Sequence, residues 1–460
     1  MGRLRLKILK KKVLKKVKQD IPWLEHVINN EKIAGDLNPA AADVEIHFRR
    51  ESLCIFCRGS RMLCGKSRCP AIVRLYSLLK VKNLVNSEKI FGSSPPGVFV
   101  GRIGYPYVYA GPLIPPVLGD TSLFDMPEVW VGRSIDEIIG FRTGLIRGKF
   151  RVNVKKPFTN EQFLSRTIEI ALSREPVDTE ALFRKKPSGS FIFDDEVQPM
   201  GPSAPLLKIE VENARIDQRI EKAYSDADLK AEEAILDLYL NGVPVSKIQR
   251  AFSVGAFGVK RQRRMVPTRW SITAVDSTIS RRIIEDKVKS NPEIGEYRVY
   301  SFTYLGNRFV VLLTPSKWRY EWIEAWYPGT LWNPQGEGIA MGNDWEGYYG
   351  RTSYASLGGC YYAVRLAAAE FLAREGRQAG VIAMREIHPS FIMPLGVWIN
   401  RECVREAFKG RYERFNTLSE ALEYIGSKFS IPIREWVKTS HLMKEDIFQE
   451  KITKYLKPKN

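Results

Sequence analysis

The chain has 460 residues, 44% of them hydrophobic, and its 71 Lys and Arg against 52 Asp and Glu leave a formal charge of +19. That is enough apolar material for a full core and enough length for more than one domain, so disorder over the whole chain is excluded. No apolar run reaches the roughly 18 residues of a membrane span, and the basic N-terminus lacks the apolar segment of a secretory signal, so a cytoplasmic, nucleoid-associated protein with no membrane partner is expected. Lys and Arg that neutralise phosphates release condensed counterions, which makes nucleic acid the leading partner for this charge excess.

Residues 1–20 form a basic amphipathic tail: Leu6, Leu9, Val13 and Val17 recur at helical steps among Arg3, Arg5, Lys7, Lys10, Lys11, Lys12, Lys15, Lys16 and Lys18. Such a tail either docks on phosphates or an anionic surface, or lays its apolar stripe on the body. Residues 38–75 hold four cysteines, Cys54, Cys57, Cys64 and Cys69, separated by two, six and four residues. Two tight turns can bring these thiolates into a tetrahedron around one structural Zn²⁺. The formal −2 charge of such a site is offset by Arg49, Arg50, Arg58, Arg61, Lys66 and Arg68. An iron–sulfur cluster, with Pro70 following Cys69, and unrelated buried thiols are the rival readings. Cys360 and Cys403 stand alone and are expected in the core.

Residues 92–116 are rich in Gly, Pro and Tyr and read as loop with short strands, and residues 178–205 read as a linker or a long exposed loop. Within residues 209–252 the pattern turns helical, with Asp226, Asp228, Glu232 and Glu233 outward and Ile235, Leu236, Leu238 and Tyr239 inward, stopping at Asn241 and Gly242. A second helix over 245–252 gives helix-turn-helix spacing, in which Lys247 and Arg250 could read a groove, but the acidic residues of the first helix oppose phosphate and simple helix packing explains the same pattern. Residues 253–264 join glycines to Lys260, Arg261, Arg263 and Arg264, with Arg269 following. Backbone amides and guanidinium forks suit a phosphate of DNA or of a nucleotide, and a solvated basic loop fits equally. Residues 297–313 read as a hairpin about Leu305, Gly306, Asn307 and Arg308. Trp318, Trp322, Trp326, Trp332 and Trp345, followed by Tyr348, Tyr349, Tyr354, Tyr361 and Tyr362, either stack unpaired bases or fill a core.

Arg351, Ser353, Ser356, Gly358 and Gly359 precede a helix over 363–374 that carries Arg365, which makes a second candidate anion site at a helix start. A strand over 381–387 completes a mixed α+β, multi-domain reading with the four-cysteine zinc module at its N-terminus. Three carboxylate pairs, Asp226 with Asp228, Glu321 with Glu324 and Asp344 with Glu346, supply either a two-metal site or surface charge. None of the four histidines sits in a metalloenzyme spacing; His388, after a strand, is either a chemical residue or, more in keeping with usual frequencies, a hydrogen-bonded structural histidine.

The chain ends with Gln449, Ile452, Tyr455 and Leu456 at three-residue and one-residue steps. On one turn of 3₁₀ helix the apolar three form a single plug, which looks like the peptide that enters the DNA sliding clamp (PCNA) or, equally by spacing, a terminal helix packing on its own domain. Segment 266–276 (VPTRWSITAVD), segment 395–398 (LGVW) with Arg401 and Glu402, segment 101–106 (GRIGYP) and this tail resemble the archaeal Nre DNA repair proteins, over about residues 45–456. The resemblance implies an N-terminal domain over 76–295, an α+β C-terminal domain over 296–445 and a clamp-binding box at 449–456. It implies zinc on Cys54, Cys57, Cys64 and Cys69, and clamp contacts from Gln449, Ile452, Tyr455 and Leu456. The box departs from the family's common form by ending in Tyr-Leu. The resemblance carries no reaction. The expected function is a DNA repair factor that binds DNA and is recruited by PCNA; the rivals are a nucleotide-binding or metal-dependent phosphoryl-handling enzyme, and an adaptor without DNA preference.

Overall fold

A computed structural model describes residues 68–448 except 86, 156–160, 189–190, 193–199, 213, 331 and 334–335, together with residues 46–47, 57, 61–63 and 66. The basic tail, Cys54, Cys64 and the 449–456 box lie outside the described residues.

The N-terminal half is built on six strands: β1 (Lys89–Ser94), β2 (Val98–Val100), β3 (Tyr107–Ile114), β4 (Ile146–Asn153), β5 (Val177–Phe183) and β6 (Ser203–Glu212). Their order is β1-β5-β6-β4-β3-β2, antiparallel except for the parallel β4/β6 contact. Alternation decides which face is inside. Along β4, Ile146, Phe150 and Val152 are buried while Arg147, Lys149 and Arg151 face out. The inner residues, with Val108 and Ala110 of β3, pack against Val81 of α1 (Pro70–Leu84) and Leu164 of α3 (Glu161–Leu172). Between them α2 (Ile135–Thr143) starts with a capping box in which Ser134 accepts from the Glu137 amide and the Glu137 carboxylate accepts from the Ser134 amide.

The stretch 178–205, expected to be a linker, supplies β5 and the start of β6, paired from Asp178↔Glu212 to Phe183↔Leu206. Val177, Thr179, Ala181 and Phe183 make a buried stripe of period two, and the polar residues between them occupy only the outer register.

The C-terminal half holds β7 (Tyr297–Tyr304), β8 (Asn307–Thr314), β9 (Arg319–Trp326), β10 (Ala340–Glu346), β11 (Gly380–Ile387) and β12 (Glu413–Phe415) in the order β10-β9-β11-β8-β7-β12. The expected hairpin is β7/β8, turned by Leu305 (φ 48°) and Gly306 (φ 73°). Two consecutive left-handed residues are the turn that matches strand twist. A Cβ on Gly306 would also stand 2.7 Å from the Phe391 nitrogen. The central strand β11, joined to β8 antiparallel and to β9 in parallel, is buried along its whole length.

Helices α4 (Gln218–Ser225), α5 (Ala231–Leu240), α6 (Val245–Ser253), α7 (Thr268–Ile283), α8 (Gly359–Glu375) and α9 (Trp398–Lys409) cover one face of this sheet. Ile235, Ile248 and Ile279 from these helices share a single core with Tyr300, Phe309 and Trp322 of the strands, so the packing runs unbroken across residue 295. Cys403 is in this core. The other face of the sheet is covered by α10 (Leu418–Lys428), α11 (Ile433–Thr439) and α12 (His441–Phe448), through Ile425, Trp436 and Leu442. Among the described residues no helix is long and apolar enough to cross a membrane.

Candidate nucleic-acid interface

Helix α7 gathers segments that are far apart in the chain. At its first residue the Thr268 hydroxyl accepts from the Val100 amide at 2.8 Å, and the Trp270 ring lies 5.2 Å from that of Tyr105. One turn on, Thr273 faces Gly359, where a Cβ would stand 3.2 Å from its Oγ1. Another turn on, both Asp276 oxygens accept from Arg401 Nη1, at 2.9 and 3.0 Å, and Oδ1 also accepts from Gln249 at 2.8 Å. Segments 101–106, 266–276, 358–360 and 395–402 thus meet along one helix.

The inner end of that helix is structural. Asp276 and Arg401 are almost fully buried, and burial pushes the Asp276 carboxyl up to about 6 against the pull of Arg401. The ion pairs continue from Arg401 to Glu402, Arg405 and Glu370, which accepts from the Tyr239 hydroxyl at 2.9 Å.

The outer end opens onto the exposed face of the N-terminal sheet. Tyr105, Tyr107, Tyr109 and Trp270 are each between 44 and 54% exposed and lie side by side. Cations lie over three of these rings and one more: Lys155 over Tyr105 at 6.0 Å, Arg151 over Tyr107 at 5.8 Å, Lys149 over Tyr109 at 5.9 Å, and Arg147 over Phe99 at 5.8 Å. The pairing is a consequence of register: Tyr109 faces Arg151 across β3/β4, and each cation leans diagonally onto the next ring. Arg147 donates to the Gly201 carbonyl at 3.4 Å and to the Met200 sulfur at 3.3 Å, and Lys149 is held below the ordinary lysine pKa by burial and then by repulsion from Arg147 and Lys185. Exposed Arg102 and Arg269 flank the stripe. Of the carboxylates in the outer register of β5 and β6, Glu180 and Glu210 pair with Lys89 and Lys208, Asp178 accepts from Ser93 at 2.6 Å, and Glu212 is exposed at the far end of β6. A ladder of rings and like charges is suited to bases and phosphates.

The residues singled out in the sequence are spread over several places. Arg269 borders the stripe, and Lys260 and Arg264 are exposed. Arg263 donates to the carbonyls of Gly258, Tyr224 and Asp226 and so clasps the loop to α4. Arg351 pairs with Asp344 at 3.0 Å, and the same carboxylate accepts from the Leu357 amide at 2.7 Å, so the turn holding Ser356, Gly358 and Gly359 already faces an anion of the chain itself. Arg365 is buried, paired with Glu346 at 2.7 Å and bonded to Ser277 and Ser280. Glu321 accepts from Asn343, Ser440 and the amides that start α12, while Glu324 pairs with Arg385 at 3.0 Å. Asp226 closes its own turn through the Asp228 and Leu229 amides. Among the described residues no three His, Cys, Asp or Glu are grouped to hold a metal. His388 stacks on Tyr327 and lies 3.4 Å from Glu386.

In the α5/α6 helix pair the groove-reading candidates point inward: Lys247 bonds Asp217 at 2.9 Å and Arg250 pairs with Asp125. Trp318 and Trp322 are core residues, whereas Trp332, Trp345, Tyr349 and Tyr354 are exposed. Cys57 and Cys69 are buried, and the neighbouring cations are turned to the body, Lys66 to the Gly329 carbonyl at 2.8 Å and Arg68 to Asp136 at 2.6 Å. The ladder of β3 and β4 escaped sequence reasoning. Its signal was the alternation Tyr107, Val108, Tyr109, Ala110 set against Arg147, Gly148, Lys149, Phe150, Arg151, Val152.

Comparison with known proteins places this geometry in context. A family model described as "Archaeal Nre, N-terminal" matches residues 63–333, and one described as "Archaeal Nre, C-terminal" matches residues 346–455. The DNA repair protein NreB of Archaeoglobus fulgidus is 44% identical over 392 residues, covering 85% of this chain and 97% of that protein. The DNA repair protein NreA of the same organism is 38% identical over 83% of this chain and 95% of its own length, and NreA of Haloferax volcanii is 34% identical over 80% and 90%. No solved structure matches the chain.

Proposed function

Because the chain belongs to the archaeal Nre family, of which members are named DNA repair proteins, we propose that it is a DNA repair factor that binds DNA through the ring-and-cation stripe of its N-terminal sheet and is brought there by the sliding clamp. The observation that carries this reading is the junction at Tyr105 and Trp270. There the two family-like segments 101–106 and 266–276 border the exposed ladder.

The recruitment half rests on the spacing of Gln449, Ile452, Tyr455 and Leu456, whose three apolar residues fall on one side of a 3₁₀ turn as a clamp-entering peptide requires. A single structural zinc on Cys54, Cys57, Cys64 and Cys69 braces the segment ahead of α1. In support, Cys57 and Cys69 are both buried ahead of α1, as ligands of a closed structural site would be.

Titration of the full chain with clamp, with and without residues 449–460, tests recruitment. Deletion is expected to abolish binding, and unchanged affinity refutes it. A parallel titration with short DNA at low and high salt tests contact: affinity is expected to fall steeply with salt, and absence of binding at low salt refutes it.

A further inference from the structure

We infer that the β3/β4 ladder is a platform for an unpaired DNA strand, with bases stacked on Tyr105, Tyr107, Tyr109 and Trp270 and phosphates held by Arg147, Lys149, Arg151 and Lys155. The inference deepens the DNA-contact reading above and rests on it. Three features of the stripe select a single strand over a duplex.

The first is spacing. Tyr107 and Tyr109 are two residues apart on one strand, so their rings are about 6.8 Å apart. Bases along a stacked strand repeat at about 3.4 Å, so neighbouring bases in a duplex cannot each meet one of these rings, whereas an extended strand with its bases pulled apart can.

The second is chemistry. The faces of paired bases are covered by their neighbours, so exposed tyrosines on a sheet have nothing to stack on in an intact duplex. A row of four large rings between 44 and 54% exposed is then a cost to the free protein with no return from double-stranded DNA.

The third is the position of the cations. Lys155, Arg151, Lys149 and Arg147 sit at 5.8 to 6.0 Å from the ring centres, at the outer limit of cation–π attraction, so they shade the rings without gripping them. Three of the four come from alternate residues of β4, so the phosphate line runs parallel to the tyrosine line on β3. Arriving phosphates draw Lys149, Arg151 and Lys155 off the half-exposed tyrosine faces and leave more of each ring to a base, while Arg147 stays anchored on Gly201 and Met200. The like-charge crowding of Lys149 with Arg147 and Lys185 is relieved in the same step.

The test is fluorescence anisotropy of the full-length protein with a labelled oligothymidine strand of about 20 nucleotides and with a mixed-sequence duplex of the same length. The parent protein is expected to bind the strand at least about tenfold more tightly than the duplex. Tyr107→Ala with Tyr109→Ala is expected to weaken strand binding about thirtyfold, since each lost stacking contact is worth about five- to sixfold at the lower end of the stacking range. Tyr107→Phe with Tyr109→Phe keeps both rings and is expected to restore strand binding, which separates stacking from any change in folding. Equal affinity for strand and duplex, or Ala variants that bind the strand as the parent does, overturns the inference while the DNA-contact reading stands. Tighter binding of an RNA strand of equal length overturns it as well. Binding of neither form of DNA at low salt removes both.

Discussion

Replacing Arg401 with methionine isolates the buried staple that closes the inner end of α7. The substitution keeps most of the apolar stem and removes the guanidinium that donates to both oxygens of Asp276 and, through Nε, to Glu402 at 3.0 Å. Glu402 keeps Arg405, but Asp276 keeps only Gln249. A buried carboxylate stripped of its cation escapes by holding a proton. In the parent chain the Asp276 carboxyl is raised to about 6 from an ordinary value of 3.8, so its contribution to stability is complete below pH 3.8 and is lost as the pH rises through 6. Above that pH the parent pays nothing further, because the carboxylate is ionised and paired. In Arg401→Met the folded pKa rises further, so the loss continues at about 1.4 kcal/mol per pH unit beyond pH 6. The variant is therefore expected to be less stable than the parent by about 3–5 kcal/mol at pH 8, the range for breaking a buried pair, with that gap about 3 kcal/mol smaller at pH 6 and below. Urea unfolding of both proteins from pH 5 to 8 measures it. Adding Asp276→Asn to Arg401→Met should flatten the pH dependence. A gap that stays constant between pH 6 and 8 would refute the assignment of Asp276 as the group left behind.

Gly306→Val should cost about 2–4 kcal/mol in thermal or urea unfolding, because the turn demands a left-handed residue and the new Cβ meets Ser390 and Phe391; a loss under about 0.5 kcal/mol would contradict it. Arg147→Ala with Lys149→Ala should lower the slope of log affinity against log salt for a single strand by about 1.4, read from anisotropy at several salt concentrations, with an unchanged slope placing the phosphates elsewhere. Cys69→Ala should release about one zinc per chain, measured by elemental analysis of protein purified without chelator. A parent protein that carries iron and a visible chromophore would replace zinc in the account.

Elements whose cause is local were legible from the chain. The β7/β8 hairpin follows from a two-residue turn at Leu305 and Gly306, α8 from the alanine-rich run after Gly358 and Gly359, and the end of α5 from Gly242, which has φ 75°. What depends on distant partners was not. Lys247 and Arg250 look like a groove-reading pair until Asp217 and Asp125, remote in sequence, claim them. Glu321 and Glu324, three apart on β9, point to opposite faces, one to α12 and the other to Arg385, so their nearness in sequence brings no shared site. Polar, proline- and glycine-rich composition in 178–205 concealed β5, whose inner register of Val177, Thr179, Ala181 and Phe183 is buried, while the short strands expected in 92–116 include the eight-residue β3. The ladder needs the β3/β4 register, which brings Tyr109 opposite Arg151 from 42 residues along the chain.

The most direct test of the account is photo-crosslinking of the full-length protein to a single strand carrying 5-iodouracil, with the crosslinked residues read by mass spectrometry. Adducts on Tyr105, Tyr107, Tyr109 or Trp270 are the predicted result. Adducts confined to exposed rings away from the ladder, such as Trp332, Trp345, Tyr349 and Tyr354, would contradict it.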